Sequence, residues 1–101
     1  MNWDNTKTDE LMGAIVQLRS KAEAKRFFRD LLTEDELIEF GNRWLAARLL
    51  ARGVSYTKIV DRTRLSSRTI ARVSKWLNAG ADGYKLMIGR LNHHHNSSPA
   101  G

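Results

Sequence analysis

A chain of 101 residues is the size of one small domain, and 17 Lys and Arg against 11 Asp and Glu leave it at +6, a balance that favours a polyanionic partner. The absence of cysteine excludes disulfides, thiolate metal sites and a cysteine nucleophile. No apolar run approaches the roughly 20 residues of a membrane span, and the N-terminus MNWDNTKTDE is too acidic and polar for a signal peptide, so a soluble cytoplasmic protein is expected.

The only proline is Pro99, and no strand-like alternation of apolar and polar residues appears, so the chain reads as all helix. Leu11, Ile15 and Leu18 recur at helical spacing and predict a first helix over about 8–19. Ser20 with Glu23 forms a capping box that opens a second helix, whose apolar stripe is Ala24, Phe27, Phe28, Leu31 and Leu32. Thr33 with Glu36 repeats the signature, and Glu34, Asp35 and Glu36 suit the positive end of a helix dipole. This third, long helix is expected to reach Arg52 and stop at Gly53. Its apolar residues make two stripes, Leu37, Phe40, Trp44, Ala47 and Ile38, Gly41, Leu45, Leu49. Two stripes suit either the central helix of a domain or a helix that also packs on a second subunit. Ser55 and Ser66 cap two further short helices, over about 56–63 and up to about Asn78, and Asp82 starts a last one bearing Tyr84, Met87, Ile88 and Leu91. The domain therefore spans 1–91, and the tail 92–101 has the composition of a disordered end. Trp44, Phe27 and Phe28 are expected in the core.

Charge is divided along the chain. Residues 1–40 hold six basic and nine acidic side chains, a net −3; residues 41–91 hold eleven basic side chains against Asp61 and Asp82, a net +9. Such asymmetry is a footprint of nucleic-acid binding. The segment IVDRTRLSSRTIARV, residues 59–73, has the form of a helix-turn-helix lying within about 55–78: two capped helices, a tight turn, and apolar anchors at Ile59, Leu65, Ile70 and Val73. At about 100° per residue, Ile70, Val73 and Leu77 face inward while Arg68, Arg72 and Lys75 fall on the opposite side. Ser66, Ser67 and Thr69 stand at the N-terminal end of that helix, supplying hydroxyls and amides for phosphate beside long donors for base edges. Tyr56, Thr57 and Lys58, at the start of the preceding helix, complete the candidate DNA contacts. The turn holds Arg64 where such units often carry glycine, and Val60 stands where the first helix often has a small residue.

From about Ser20 to Leu91, and best from Leu37 to Gly80, the chain resembles the tryptophan repressor superfamily, particularly its small repressor-related proteins of the YerC/YecD type. The segments that carry the likeness are FGNRWLAARLLARGVSYTKI, LSSRTIARVSKWLNAG and a short helix beginning near Tyr84. The resemblance implies an all-α, six-helix TrpR-like domain, an intertwined homodimer presenting two helix-turn-helix units, and a sequence-specific transcriptional regulator, a repressor, that binds double-stranded DNA. It also implies an effector pocket. The family's two ligand-gripping arginines match Arg43 and Arg72, but Val73 takes the place of a small glycine and Trp76 that of a serine. A branched side chain and an indole fill the space an amino-acid effector needs, so L-tryptophan is not expected to act here.

Two other readings stand beside this one: a nonspecific DNA or RNA binder, and a helical adaptor that docks an acidic protein. No glycine-rich phosphate loop, nucleophile elbow or paired carboxylate appears, so neither enzyme activity nor a cofactor is expected. Adjacent His93, His94 and His95 lack the i, i+4 spacing of a helical metal site and read as a solvated tail or a purification remnant.

Overall fold

A computed structural model describes residues 2–96, with side chains described for residues 2–92. Six helices follow in order: α1 (Thr6–Ile15), α2 (Lys21–Leu31), α3 (Glu34–Ala51), α4 (Tyr56–Thr63), α5 (Ser67–Ala79) and α6 (Gly83–Asn96), with no strand among the described residues. They fall into two units divided after Leu37, inside α3.

In the first unit α1 begins and ends earlier than the expected 8–19. The Asn5 side chain accepts from the Thr8 amide and the Thr8 hydroxyl accepts from the Asn5 amide, a reciprocal cap formed without Ser or Glu in the usual places. After Ile15 the bonds tighten to Gln17→Ala14 and Leu18→Ile15, and the helix closes. Ser20 accepts from the Glu23 amide as expected, but the Glu23 carboxylate accepts from the Arg19 amide, one residue beyond the box. Neither α1 nor α2 buries a single residue. Phe27 and Phe28, expected in the core, meet edge to face at 5.6 Å yet remain half-buried, because within this unit no layer covers their stripe.

The second unit holds the core. Ala46, Ala47 and Leu49 of α3 pack with Ile59 of α4, Leu65 of the following turn, and Ile70 and Val73 of α5. Small alanines let the helices approach closely, and Trp44, Leu45, Leu50, Val54, Val60, Tyr84 and Ile88 ring the cluster. Trp44 is thus at the margin of the core instead of inside it. α3 ends in a Schellman motif: Gly53 at φ 79° lets its own amide reach Leu50 and the Val54 amide reach Leu49. α5 closes on Gly80, where a Cβ would stand 2.5 Å from the Trp76 carbonyl oxygen, so only glycine fits. The last helix is launched by Asp82 at φ 68° and runs past the expected end at Leu91 through Asn96, since no glycine or proline follows Leu91 until Pro99. The tail expected to be disordered from residue 92 is therefore helical over its first five positions; the rest lies outside the described residues.

Candidate nucleic-acid interface

The helix-turn-helix stands on one buried polar residue. Thr63 is 1% exposed; its Oγ1 donates to the Ile59 carbonyl at 2.7 Å and accepts from the Leu65 amide at 3.2 Å. The hydroxyl joins the last turn of α4 to the residue that leads into α5. Between them Arg64 takes the left-handed conformation, φ 63°, and its amide bonds Val60 at 2.8 Å. A non-glycine residue there costs about 1 kcal/mol, which the buried anchors Ile59, Leu65 and Ile70 hold in place. Sequence patterning brought out those apolar anchors but missed Thr63, because a threonine closing a helix carries no local sign of burial.

Ser66 caps α5: its Oγ accepts from the Thr69 amide at 3.1 Å and donates to Thr69 Oγ1 at 3.0 Å. This cap orients the first turn and half-buries Thr69, so that hydroxyl serves the cap while Ser67 stays exposed. Ser55 caps α4 more loosely, accepting from the Lys58 amide at 3.4 Å, and leaves Tyr56, Thr57 and Lys58 exposed. On α5 the inner face Ile70, Val73 and Leu77 is buried, and Arg68, Arg72 and Lys75 are exposed on the other side, the division expected from helical spacing. Among the described residues none of these cations enters an ion pair; the one pair is Arg43 with Glu39 at 2.7 Å. The surface thus presents unneutralised charge and free hydroxyls on a backbone held from behind by a dry core, the condition for gripping phosphates and reaching base edges.

The four residues matched to an effector pocket stand in different settings within the chain. Arg43 is engaged by Glu39 and lies over the Phe40 ring at 5.9 Å. Arg72 is exposed, and Val73 is buried at 2% in the core. Trp76 alone of the four lines an apolar hollow of about 480 Å³, with Trp44, Ala81, Gly83, Tyr84 and Met87. Trp44 and Tyr84 stack at 6.3 Å on its wall, and the Arg48 guanidinium caps Trp44 at 5.8 Å. No cluster of three or more potential metal ligands occurs among the described residues; the side chains of His93, His94 and His95 lie outside them. Among the described residues no helix is long and apolar enough to cross a membrane.

Comparison with known proteins places this arrangement. Residues 6–92 match the family described as Trp repressor protein. The chain is 39% identical over 83 residues to the protein YerC of Bacillus subtilis (strain 168), covering 82% of this chain and 80% of that one. The crystal structure of a TrpR-like protein from Eubacterium eligens ATCC 27750 superposes with a TM-score of 0.84 at 34% identity, covering 88% of this chain and 92% of that one. A solved structure from Staphylococcus aureus gives 0.82 at 33% identity, with 87% and 88% covered.

Proposed function

Because the chain belongs to the Trp repressor family, matched from residue 6 to residue 92, we propose that it is a sequence-specific DNA-binding transcriptional regulator that represses by occluding a promoter in the cytoplasm. The observation that carries this is the outer face of α5, where Ser67, Arg68, Arg72 and Lys75 stand exposed, with no ion pair among the described residues, on a helix whose inner face is buried. In the proposed mode α5 enters the major groove. Ser67 and Arg68 read base edges from a first turn set by the Ser66–Thr69 cap, while Arg72, Lys75, Tyr56, Thr57 and Lys58 hold phosphates.

The functional species is a homodimer, the partner of each chain being a second copy. Support comes from apolar surface left open in one chain: Val16 is 75% exposed and Ile38 63%, with Met12, Leu31 and Phe40 nearly half exposed. Two reading helices then address half-sites about one helical turn apart, the spacing that helix-turn-helix dimers share, tryptophan repressor among them. The regulator works without L-tryptophan. This is supported by Val73, which is buried in the core, and by the bulk of Trp76 at the position matched to the family's serine.

Selection of bound duplexes from a random pool tests the reading. An inverted repeat is expected among the selected sequences. Equal retention of all sequences, with affinity set only by salt, would instead indicate a nonspecific binder, and no retention would indicate a protein-docking adaptor.

A further inference from the structure

We propose that the outer face of α2 is a second phosphate-gripping surface for duplex DNA, made by Lys21, Lys25, Arg26 and Arg29 and indifferent to base sequence. It is a contact outside the helix-turn-helix, and it rests on the DNA-binding reading above.

The net −3 of residues 1–40 conceals a segregation of charge. Five of their six basic side chains, Arg19, Lys21, Lys25, Arg26 and Arg29, fall within positions 19–29, which hold one acid, Glu23; the other acids flank them at 4–10 and 30–39. At about 100° per residue, Lys21, Lys25, Arg26 and Arg29 share one sector of α2 in which the only other residue is Ala22. All five are exposed, while Ala24, Phe27 and Phe28, outside that sector, are half-buried. This face works against its own helix. Lys21 stands in the first turn, where the helix dipole repels a cation, and Lys21, Lys25 and Arg29 follow at intervals of four residues, so that like charges meet twice on one helix face. Nothing in the chain offsets this: none of the four enters an ion pair among the described residues, and the nearby Glu23 carboxylate is drawn to the Arg19 backbone amide at 2.9 Å. Arg29 donates only to the Leu32 carbonyl, at 3.4 Å.

The arrangement of the cations selects the occupant. Lys21, Lys25 and Arg29 form a row about 12 Å long at 1.5 Å of helix rise per residue, the length of roughly three to four phosphates along one strand of a duplex. A row suits a linear polyanion, whereas a small anion is held by donors that converge on a point. Lys25, Arg26 and Arg29, with Asp30 and Leu37, also border an open hollow of about 610 Å³, which leaves room for backbone phosphates between the side chains. No aromatic side chain stands on this face, so it offers unstacked bases no platform and fits a duplex better than a single strand. It holds no large apolar anchor of the kind that centres a protein interface. A membrane would have to be met by Phe27 and Phe28, which lie half-buried away from the cations.

The test uses the full chain and a duplex that extends beyond the selected site on both sides. The slope of log affinity against log salt should fall by about one for Lys25→Ala and by about one for Arg29→Ala, since each phosphate contact contributes about 0.9. Lys7→Ala removes the same charge from an exposed position of α1 and should leave the slope unchanged; an equal fall there would mean that net charge alone is at work and would overturn the proposal. Lysine acetylation read by mass spectrometry supplies a second readout. Added duplex should slow the labelling of Lys21 and Lys25 severalfold and leave that of Lys7 as it was. Protection of Lys75 with Lys21 and Lys25 still freely labelled would overturn this surface and leave the DNA-binding reading standing. A wild type that binds no duplex would remove both. Stronger protection of Lys21 and Lys25 by single-stranded DNA, anionic vesicles or an acidic protein than by duplex would overturn the choice of occupant. Alanine favours the helix and removes a like-charge neighbour, so circular dichroism and sedimentation of both α2 variants should match the wild type. Loss of helix or of self-association in them would give these cations a structural role and refute the proposal.

Discussion

Thr63 and Arg68 have different parts in the candidate interface. Thr63→Val preserves shape and removes the oxygen that accepts from the Leu65 amide. A buried amide left unpaired costs about 1 to 3 kcal/mol, so urea unfolding should show a loss of that size, and Thr63→Ser should keep most of the stability. Arg68→Ala is expected to weaken binding to the selected site by about 1 to 3 kcal/mol and leave weak nonspecific binding nearly intact. Lys75→Ala, two turns further from the reading end, should weaken all duplexes alike. Competition titrations against the selected and a scrambled duplex separate the two; equal loss of specificity in both variants would refute the division of roles. Arg68 was legible in sequence because helical spacing opposes it to Ile70 and Val73. Thr63 was not, because its importance arises only when the chain turns at Arg64 and closes the hydroxyl between two backbone groups.

Among the elements, α3 owes its start to a local bond pattern with a pH signature. The Glu36 carboxylate accepts from the Thr33 backbone amide at 2.9 Å, and the Thr33 hydroxyl accepts from the Glu36 amide at 3.1 Å. The Thr33 backbone amide first, and the Thr33 hydroxyl beside it second, hold the Glu36 carboxyl below its ordinary 4.5. A lowered value in the folded chain means that the cap contributes above the ordinary carboxylate range and is lost as pH falls through the lowered value. A carboxyl-detected NMR titration should place the Glu36 midpoint below 4.5, with amide protection in the first turn of α3 fading over the same interval. In Thr33→Ala the hydroxyl is gone but the backbone amide remains, so the midpoint should return only part of the way; an unchanged midpoint would count against the side-chain contribution. This element was readable from Thr33, Glu34, Asp35 and Glu36 because a capping box spans only four consecutive residues. The cap of α1 was passed over because Asn5 and Thr8 do the same work with less familiar side chains.

At the scale of the whole molecule, the proposed dimer would cover the exposed apolar residues of α1, α2 and the front of α3 and so make association part of stability. The thermal midpoint should therefore rise with protein concentration, by an amount set by mass action, and a midpoint constant over a hundredfold range would argue for a stable monomer. Calorimetry with L-tryptophan should give no saturable heat, and affinity for the selected duplex should be unchanged by the amino acid. Overfilling a packed site costs about 1 to 3 kcal/mol, enough to weaken a ligand roughly tenfold to a hundredfold. A tenfold gain in DNA affinity on adding tryptophan would refute this. Val73→Gly combined with Trp76→Ser is the pair with which to attempt a restored pocket.

Local chemistry written in the sequence determined the helices and the exposed cationic face of α5. Ser20, Thr33, Ser55 and Ser66 cap within three residues of themselves, Gly53 ends α3 through its own φ, and apolar spacing alone puts Ile70, Val73 and Leu77 inside and the α5 cations outside. What depends on residues distant in the chain was decided only by the tertiary structure. Phe27, Phe28 and Trp44 carry apolar patterning suited to a core, yet burial needs a covering layer, and within their own units they are left half-buried. Arg43 could serve a ligand by its charge, but its position one turn from Glu39 and Phe40 engages it within its own helix. Trp76, on the helix that bears the candidate interface, lines the hollow beside Tyr84 and Met87 because α6 returns there after Asp82 takes a left-handed conformation. That reversal at a non-glycine residue is sustained by the helices it joins, and a one-dimensional pattern of apolar and polar residues carries no trace of it.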